Sequence, residues 1–568
     1  MGPPYYASPY IDQRAKTFTL PISGSVILFG PEIDIIETPE FQRLGSIRQL
    51  GTAYLVYRGA NHTRFEHSLG TLHRAEQMIR AVNENPRSTA FIDERGRRLS
   101  RLAALLHDLP HIPFGHTLED ELGLLQRHDY NDSRISELLT GSEIGTILRS
   151  GLGNSCSSSL DEYHELLEIM RAKSDEEIST LNRPYVADLV GDTVCADALD
   201  YIERDLTACG MPGTMGTRFL DFFTITQENC PEPIDCRRMA LRMDKRGMPR
   251  PDVESEVVKL LSYRYELAER VYFHHAKNAA SVMVGRAVVE AGFVPDFVSA
   301  ERPAVDVYDK NFRWVSDELL LQALANPVIA DQLGFHRDDR DSQRIELAAE
   351  LASSILKRRL YKIAYLAVRD DLPLRSDELW KAYGNAPARR RLEDDLAASA
   401  GVNPGQVLVH IPNPKGLAKL ATVRILTDQG RILTLEKWDR RHSGRFHALN
   451  VAHERLWRIT VYVDPKIGSS REALVRAAAM DLFGASGRYR LGPKRAAYVD
   501  ELFSQLADGR GWTVSDREAL ADPPAALSYS RDYRDMVEEI DTLIKLYRMR
   551  TARHGDSTSG LSQNDATT

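Results

Sequence analysis

The sequence predicts a mainly α protein: a large helical core followed by a smaller C-terminal α+β lobe. Two observations carry this expectation. Between Glu37 and about Lys362 apolar residues recur at three-to-four spacing, as in "SLGTLHRAEQMIRAV", "RLSRLAALLHDL", "YVADLVGDTVCADALDYIERDL" and "HHAKNAASVMVGRAVVEAG", the period of helices with one buried face. Beyond roughly residue 400 the segments "GQVLVHIP", "ATVRILT", "GRILTLEKW" and "WRITVYVD" are short, β-branched and partly alternating, which is the pattern of strands. At 568 residues the chain exceeds what one core usually spans. The expected division is a core over 1–350, a lobe over 351–550 and a polar tail over 551–568.

Taken in order, the helical part is punctuated by "GNSCSSS" (153–159) and "DKRGMPRPD" (244–252), rich in Gly, Ser and Pro and without periodicity, which read as loops. The later segments "REALVRAAAMDLFG" and "YSRDYRDMVEEIDTLIKLYRM" return to the helical period, and the final "HGDSTSGLSQNDATT" is too polar to fold.

Hydrophobic content of 43% with 27% charged residues is ordinary for a globular protein, and a net charge of -8 argues against a surface that coats nucleic acid. Cys156, Cys195, Cys209, Cys230 and Cys236 form no C-x-x-C pair and are odd in number, which suits reduced thiols better than a disulfide framework. "MGPPYYASPY" has no charged n-region with an apolar run behind it, and 18 consecutive apolar residues occur nowhere. The expectation is a cytoplasmic protein with no membrane partner.

The chemistry concentrates in "LAALLHDLPHIPFGHTLED", Leu102 to Asp120. Pro110 disfavours helix in the residue before it and has no N–H to donate, so the helix must stop near Leu109. His107 and Asp108 then sit together at a buried helix end. Imidazole beside carboxylate suits Mn, Fe, Ni or Zn, and an uncompensated buried charge there would be costly. In "VCADALDYIERDL" Asp197, Tyr201 and Asp205 fall at i, i+4 and i+8, along one helical face. They would line one wall of a cleft, although the same spacing also suits a solvated charged face. No G-x-x-x-x-G-K-[ST], H-E-x-x-H or G-x-S-x-G occurs.

With "IIETPEFQRLGSIRQLGTAYLVYRGANHTRFEHSLG", "LLHDLPHIPFGH", "DALDYIERDL" and "YRYELAERVYFHH", the chain resembles the HD-domain phosphohydrolases over roughly residues 20 to 300. Within them it is similar to the deoxynucleoside triphosphate triphosphohydrolases related to the vertebrate enzyme that joins an HD domain to a sterile-alpha-motif domain. "SSILKRRLYKIAYLA" and the β-containing lobe resemble that enzyme's C-terminal part, and no sterile-alpha-motif domain is present. The resemblance implies an all-helical HD-domain core.

It further implies one divalent transition metal per chain, held by His67, His107, Asp108 and Asp197, with Mg accompanying the nucleotide as a second candidate. His111 and His116 would face the phosphate being cleaved, and His128 would be a further catalytic histidine held by Glu119. Arg64 would grip a phosphate near the metal and Arg264 the terminal phosphate, roles that suit a planar guanidinium fork. Gln49, Leu50, Tyr201, Asp205 and Tyr272 match groups around a deoxyribose. Two positions depart from the family: its lysine after the last metal aspartate is Ala198 here, and its base-contacting glutamine is Phe273. An aromatic face stacks on any base, so weak base discrimination is implied.

The leading expectation is therefore a metal-dependent phosphohydrolase that cleaves dNTPs to a deoxynucleoside and inorganic triphosphate. Two rivals come from other classes: a di-metal HD-domain oxygenase that recruits His128 and His164, and a nucleic-acid-binding protein or nuclease built on the HD fold. Arg64 and Arg264 favour the phosphohydrolase, because an oxygenase has less need of phosphate clamps. The expected partners are a deoxynucleotide substrate, a nucleotide activator and further copies of the chain in a homo-oligomer. The clusters Lys357, Arg358, Arg359 and Arg389, Arg390, Arg391 read as solvated helix faces, with an anion or single-stranded nucleic acid as the alternative.

Overall fold

The computed structural model describes residues 7–485 apart from 86–90, 153–160, 212, 228–236, 246–247, 294–313, 334–341, 415–422, 428–429 and 441–443. The loop expected at 153–159, the helix expected at 529–549, the polar tail and Cys156, Cys230 and Cys236 lie outside the described residues.

A hairpin opens the chain, β1 (Ala15–Leu20) against β2 (Gly24–Phe29), antiparallel from Ala15↔Phe29 to Leu20↔Gly24. Two short helices, α1 (Pro31–Glu37) and α2 (Pro39–Gln42), each start on a proline. The long helix α3 (Arg64–Glu84) begins at Thr63, which forms a reciprocal capping box with Glu66. It buries Leu69, Leu72, Ala75, Met78, Ile79 and Val82, the stripe its periodicity predicts. Helix α4 (Glu94–Leu106) is capped by Asp93 and gives way at His107, ahead of Pro110.

Around this pair lie α5 (Asp132–Thr140), α6 (Glu143–Leu152), α7 (Glu162–Arg171) and α8 (Asp175–Ser179). The run from Tyr185 to Leu206 divides into α9 (Pro184–Gly191) and α10 (Ala196–Ala208), because Asp192 turns extended and Cys195 starts a new helix. Helix α3 packs against both α4 and α10, and this trio is the heart of the first core.

The next segment departs from the helical expectation. Strands β3 (Phe223–Gln227) and β4 (Arg237–Arg242) pair antiparallel, and β5 (Asp244–Lys245) pairs with β6 (Met248–Pro249) inside the stretch read as a loop. "FTITQ" alternates apolar residues with threonine and buries all four residues from Phe223 to Thr226. Asp188 of α9 pins β4 by accepting from both Arg238 Nε and Nη2 at 2.7 Å and from the Met239 N–H at 3.0 Å.

Helix α11 (Pro251–Leu267) runs into a single π turn, Ala268–Tyr272, and then α12 (His275–Glu290). Another π turn, Thr117–Glu121, follows the histidine loop; such turns are frequent at functional sites. Helices α13 (Asp317–Ala325), α14 (Pro327–Gln332) and α15 (Ser342–Leu356) build a second core on α12.

In the last part come β7 (Lys362–Val368), α16 (Ser376–Tyr383), α17 (Ala386–Ala400), β8 (Val407–His410), β9 (Arg424–Leu426), β10 (Ile432–Thr434), α18 (Leu435–Asp439), α19 (Arg445–Glu454), β11 (Arg458–Val463) and α20 (Ser469–Phe483). The antiparallel sheet β7-β11-β8 forms a third core with α17 and α20. By contrast β9 runs parallel to β4, so Ile425, Leu435, Trp438 and Phe446 join the first core. Lys357, Arg358 and Arg359 are exposed. Arg389 is buried and donates to the carbonyls of Leu122 and Gly384, while Arg390 lies 3.1 Å from Glu290. That cluster ties the lobe to the helices. Among the described residues no helix is long and apolar enough to cross a membrane.

Candidate metal centre and catalytic cavity

His67 stands one turn into α3, His107 and Asp108 follow the end of α4, and Asp197 opens α10. Packing of these three helix ends draws four ligand groups together. His67 Nε2 lies 3.0 Å from Asp197 Oδ1, 3.3 Å from His107 Nε2 and 3.8 Å from Asp108 Oδ2. His107 Nε2 lies 3.5 Å from Asp108 Oδ1 and 3.7 Å from Asp197 Oδ1. Bonds of about 2.1 Å from one cation would set neighbouring donors roughly 3.0 to 3.4 Å apart. His67, His107 and Asp197 bring donor atoms together for one borderline divalent ion, with Asp108 beside them, its oxygens 3.5 Å from His107 Nε2 and 3.8 Å from His67 Nε2.

A second layer orients the ligands. Asp200 Oδ2 accepts from His67 Nδ1 at 2.9 Å, and Arg204 holds Asp200 through Nε at 2.8 Å and Nη2 at 2.9 Å. His107 Nδ1 donates to the Ala104 carbonyl at 2.8 Å. Each imidazole thus turns its Nε2 toward the shared position. Neither Asp200 nor Arg204 was singled out from the sequence, although both fall on the α10 face with Asp197, in "DALDYIERDL". Burial works against charge on His67, yet Asp197 and Asp200 push it up to about 10 without a bound cation. Asp108 is held well below the ordinary carboxylate range: burial opposes this, and Arg64, His107 and His111 outweigh it.

Beside the cage is a cluster of histidines. Arg64 Nη1 donates to Asp108 Oδ2 at 2.7 Å, and His111 Nε2 lies 3.2 Å from Asp108 Oδ1. The rings of His111 and His128 lie with centroids 3.5 Å apart, tilted by 37° to each other. Burial, then the charges of Arg64 and His128, hold His111 well below the usual histidine range. His128 is clamped by two carboxylates, Nδ1 on Glu119 at 2.7 Å and Nε2 on Asp129 at 2.6 Å. Against burial, Asp129 and Glu119 push it up to about 9. His116, half exposed, donates from Nδ1 to Asp120 Oδ2 at 2.8 Å. The sequence reading missed Asp120 and Asp129.

Asp317 supports the histidine loop from α13. Fully buried, it accepts from the backbone N–H of Arg48 at 2.8 Å and of Phe114 at 2.9 Å. Phe114 has φ +53, an unusual conformation for a residue with a side chain. Burial pushes Asp317 up to about 6.

One cavity of about 520 Å³ gathers the expected residues. Gln49, Leu50, Arg64, His107, Asp108, His111, His116, His128, Asp197, Tyr201, Asp205, Arg264 and Tyr272 all line it, with Ala198 and Phe273. His67 and Glu119 are buried, supporting Asp197 and His128. Asp205 accepts from the Tyr272 hydroxyl at 2.8 Å and lies 2.9 Å from His62 Nε2, a partner the sequence reading missed. His164 sits on the exposed side of α7, 3.2 Å from Asp161, and is not among the lining residues.

Residues 64–205 match the HD domain family, and residues 330–488 match the HD associated region. The first span contains the four cage residues and the histidine cluster. An uncharacterised protein of Methanocaldococcus jannaschii is 30% identical over 274 residues, covering 47% of this chain and 48% of its own. A Dictyostelium discoideum protein named deoxynucleoside triphosphate triphosphohydrolase SAMHD1 homolog is 26% identical over 360 residues, 62% of this chain and 59% of its own. A crystal structure of a hypothetical protein from Aquifex aeolicus has a TM-score of 0.52 at 20% identity, covering 81% of this chain and 100% of that one, a likeness of fold. The chain spans about half the length of the first curated relatives it matches. Over residues 64–205, which carry the four cage residues and the histidine cluster, the chain is thus similar to an HD domain.

Proposed function

We propose that the protein is a metal-dependent phosphohydrolase that cleaves a deoxynucleoside triphosphate to deoxynucleoside and inorganic triphosphate. The observation that carries this reading is that His107, Asp108 and Asp197, backed by the buried His67, line one cavity with Arg64, His111, His116, His128 and Arg264. The similarity to a named dNTP triphosphohydrolase supports the choice of substrate. When bound by His67, His107, Asp108 and Asp197, a divalent cation supplies Lewis-acid stabilisation of phosphate charge and an activated water.

The protein's own groups do the rest. Arg64, anchored on Asp108, presents its guanidinium to the α-phosphate, and the cationic His128 adds positive charge behind His111. Water attacks the α-phosphorus and the bond to the 5′-oxygen breaks. In this reading His116, its Nδ1 on Asp120, gives the leaving oxygen a proton from Nε2. Tyr201, pushed up to about 12 mainly by burial, and Tyr272, held on Asp205, stay neutral and pack against the sugar. Arg264 takes the far end of the triphosphate.

Incubating metal-loaded protein with each dNTP and NTP, followed by product chromatography, tests the reading. Intact triphosphate and deoxynucleoside are expected from dNTPs, with NTPs poor substrates. Accumulation of dNDP and dNMP, or no hydrolysis, overturns it. A second reading, a two-metal centre, is favoured by one observation: Asp108, His111 and His128 also bring ligand atoms within 4.8 Å of one another. Two tightly bound transition-metal ions per active chain would select it over the one-metal reading.

A further inference from the structure

The same cavity has a second polar wall, built by elements that carry no cage ligand. Glu121 closes the π turn after the histidine loop, Lys277 and Asn278 lie in the first turn of α12, and His410 ends β8. All four line the cavity. Lys277 donates to Glu121 Oε1, which leaves Glu121 Oε2 buried with no hydrogen-bond partner. Asn278, 2% exposed, has an unpartnered Oδ1; His410, also 2% exposed, has no partner on either ring nitrogen. The wall is continuous with the start of the site, because Thr52 Oγ1 donates to the Lys277 carbonyl at 3.2 Å and β8 packs on α12. Gln49, three residues before Thr52, adds another unpartnered buried oxygen, Oε1.

Buried polar atoms are normally paired, and a carboxylate oxygen left bare is the costliest to leave so. The pattern here is specific. Glu121 Oε2, Asn278 Oδ1 and Gln49 Oε1 ask for donors, which rules against phosphate, an anion with acceptors only. Beside them stands a cation, Lys277. The charges around His410 come from Lys277, Arg389 and Arg458; burial and these cations keep its ring neutral, so it offers one donor and one acceptor.

We propose that this wall reads the Watson–Crick edge of a guanine base, its N1–H and N2 amino group donating to Glu121 and the neighbouring amide oxygens and its O6 accepting from Lys277. Guanine is the base that sets two adjacent donors beside a carbonyl acceptor on that edge. Thymine places one N–H between two carbonyls, and adenine and cytosine put a ring acceptor next to their amino group. The inference rests on the deoxynucleotide reading and refines the sequence expectation: Phe273 stacks on any base, and selection comes from Glu121, Lys277, Asn278 and His410. Water alone filling the wall is the rival.

The test measures kcat/KM of the metal-loaded protein for dGTP and dTTP, and calorimetric binding of 2′-deoxyguanosine and thymidine, which needs no hydrolysis. A site built to hydrogen-bond its ligand should prefer dGTP by about tenfold or more. Glu121→Gln should cut that ratio to within about threefold, with Asn278→Ala acting in the same direction should Glu121→Gln fail to fold. Equal kcat/KM for the two nucleotides overturns the base-reading wall while leaving triphosphate hydrolysis standing. Absent hydrolysis with tighter deoxyguanosine binding that Glu121→Gln abolishes retains the wall and overturns the enzymatic reading. Absent hydrolysis with equal nucleoside binding overturns both.

Discussion

Gly70 lies in the middle of α3, where replacing glycine by alanine ordinarily stabilises a helix by about 1 kcal/mol. The structure reverses that sign. A Cβ at Gly70 would stand 2.0 Å from Asp200 Oδ1 and 2.4 Å from Arg204 Nη2. Asp200 is 0% exposed and Arg204 2%, and each is fixed on the other, so neither has a free direction in which to retreat. Overpacking of this kind costs about 1–3 kcal/mol, enough to cancel the helix gain and leave Gly70→Ala destabilised.

The displaced carboxylate is also the partner of His67 Nδ1. Loss of such outer-layer support typically weakens metal binding by about 10–100-fold. Urea unfolding of metal-free protein reads the first effect, and competition with a chromogenic chelator reads the second. Asp200→Ala should reproduce the loss of metal affinity without the steric clash. A Gly70→Ala protein that is more stable than the parent and binds metal equally well would refute the packing account of this helix pair.

Other outcomes follow from the same geometry. His107→Ala or Asp108→Ala should each abolish bound metal and hydrolysis together; metal analysis beside an activity assay checks this. With His67 pushed up to about 10 by its carboxylate neighbours, cation binding should displace a proton, so apparent metal affinity should rise about tenfold per pH unit between roughly pH 6 and 9; a flat profile contradicts it. His128 is raised to about 9 in the folded protein, so its stabilising contribution is complete below the unfolded value near 6.5 and lost as pH climbs through 9. That is on the order of 3 kcal/mol, and Asp129→Asn or Glu119→Gln should flatten this alkaline decline in denaturation curves. Arg264→Ala should lower kcat/KM for dGTP about a hundredfold while sparing dGMP, since only the longer chain reaches a terminal-phosphate clamp of this strength; equal losses would place Arg264 elsewhere.

What could be read from the chain were features whose cause is local. Pro110 stops α4, so His107 and Asp108 had to share a helix end, and the structure puts them 3.5 Å apart at their ligand atoms. The i, i+4, i+8 spacing of Asp197, Tyr201 and Asp205 made one face of α10 readable, and all three line the cavity. Strands β3 and β4 were hidden because a helical period was carried across a stretch whose pairing is decided elsewhere, by Asp188 of α9 and by β9 on the far side.

The remaining misses share one cause: partners that meet only after the helices pack. Asp200 reaches His67 across 133 residues, His62 reaches Asp205 across 143, and Asp317 holds Phe114 across 203. Nothing in the local spacing of either partner encodes such a meeting. His410 enters the cavity only because β8 is held against α12. Gly70 shows the two kinds of information in conflict. Read locally, a glycine in the middle of "HSLGTLH" is a weakness in the helix. Once α10 is placed, it is the clearance that lets Asp200 and Arg204 lie against α3 and hold His67 in its ligating orientation. The helix gives up intrinsic stability at the point where the metal cage needs the closest approach.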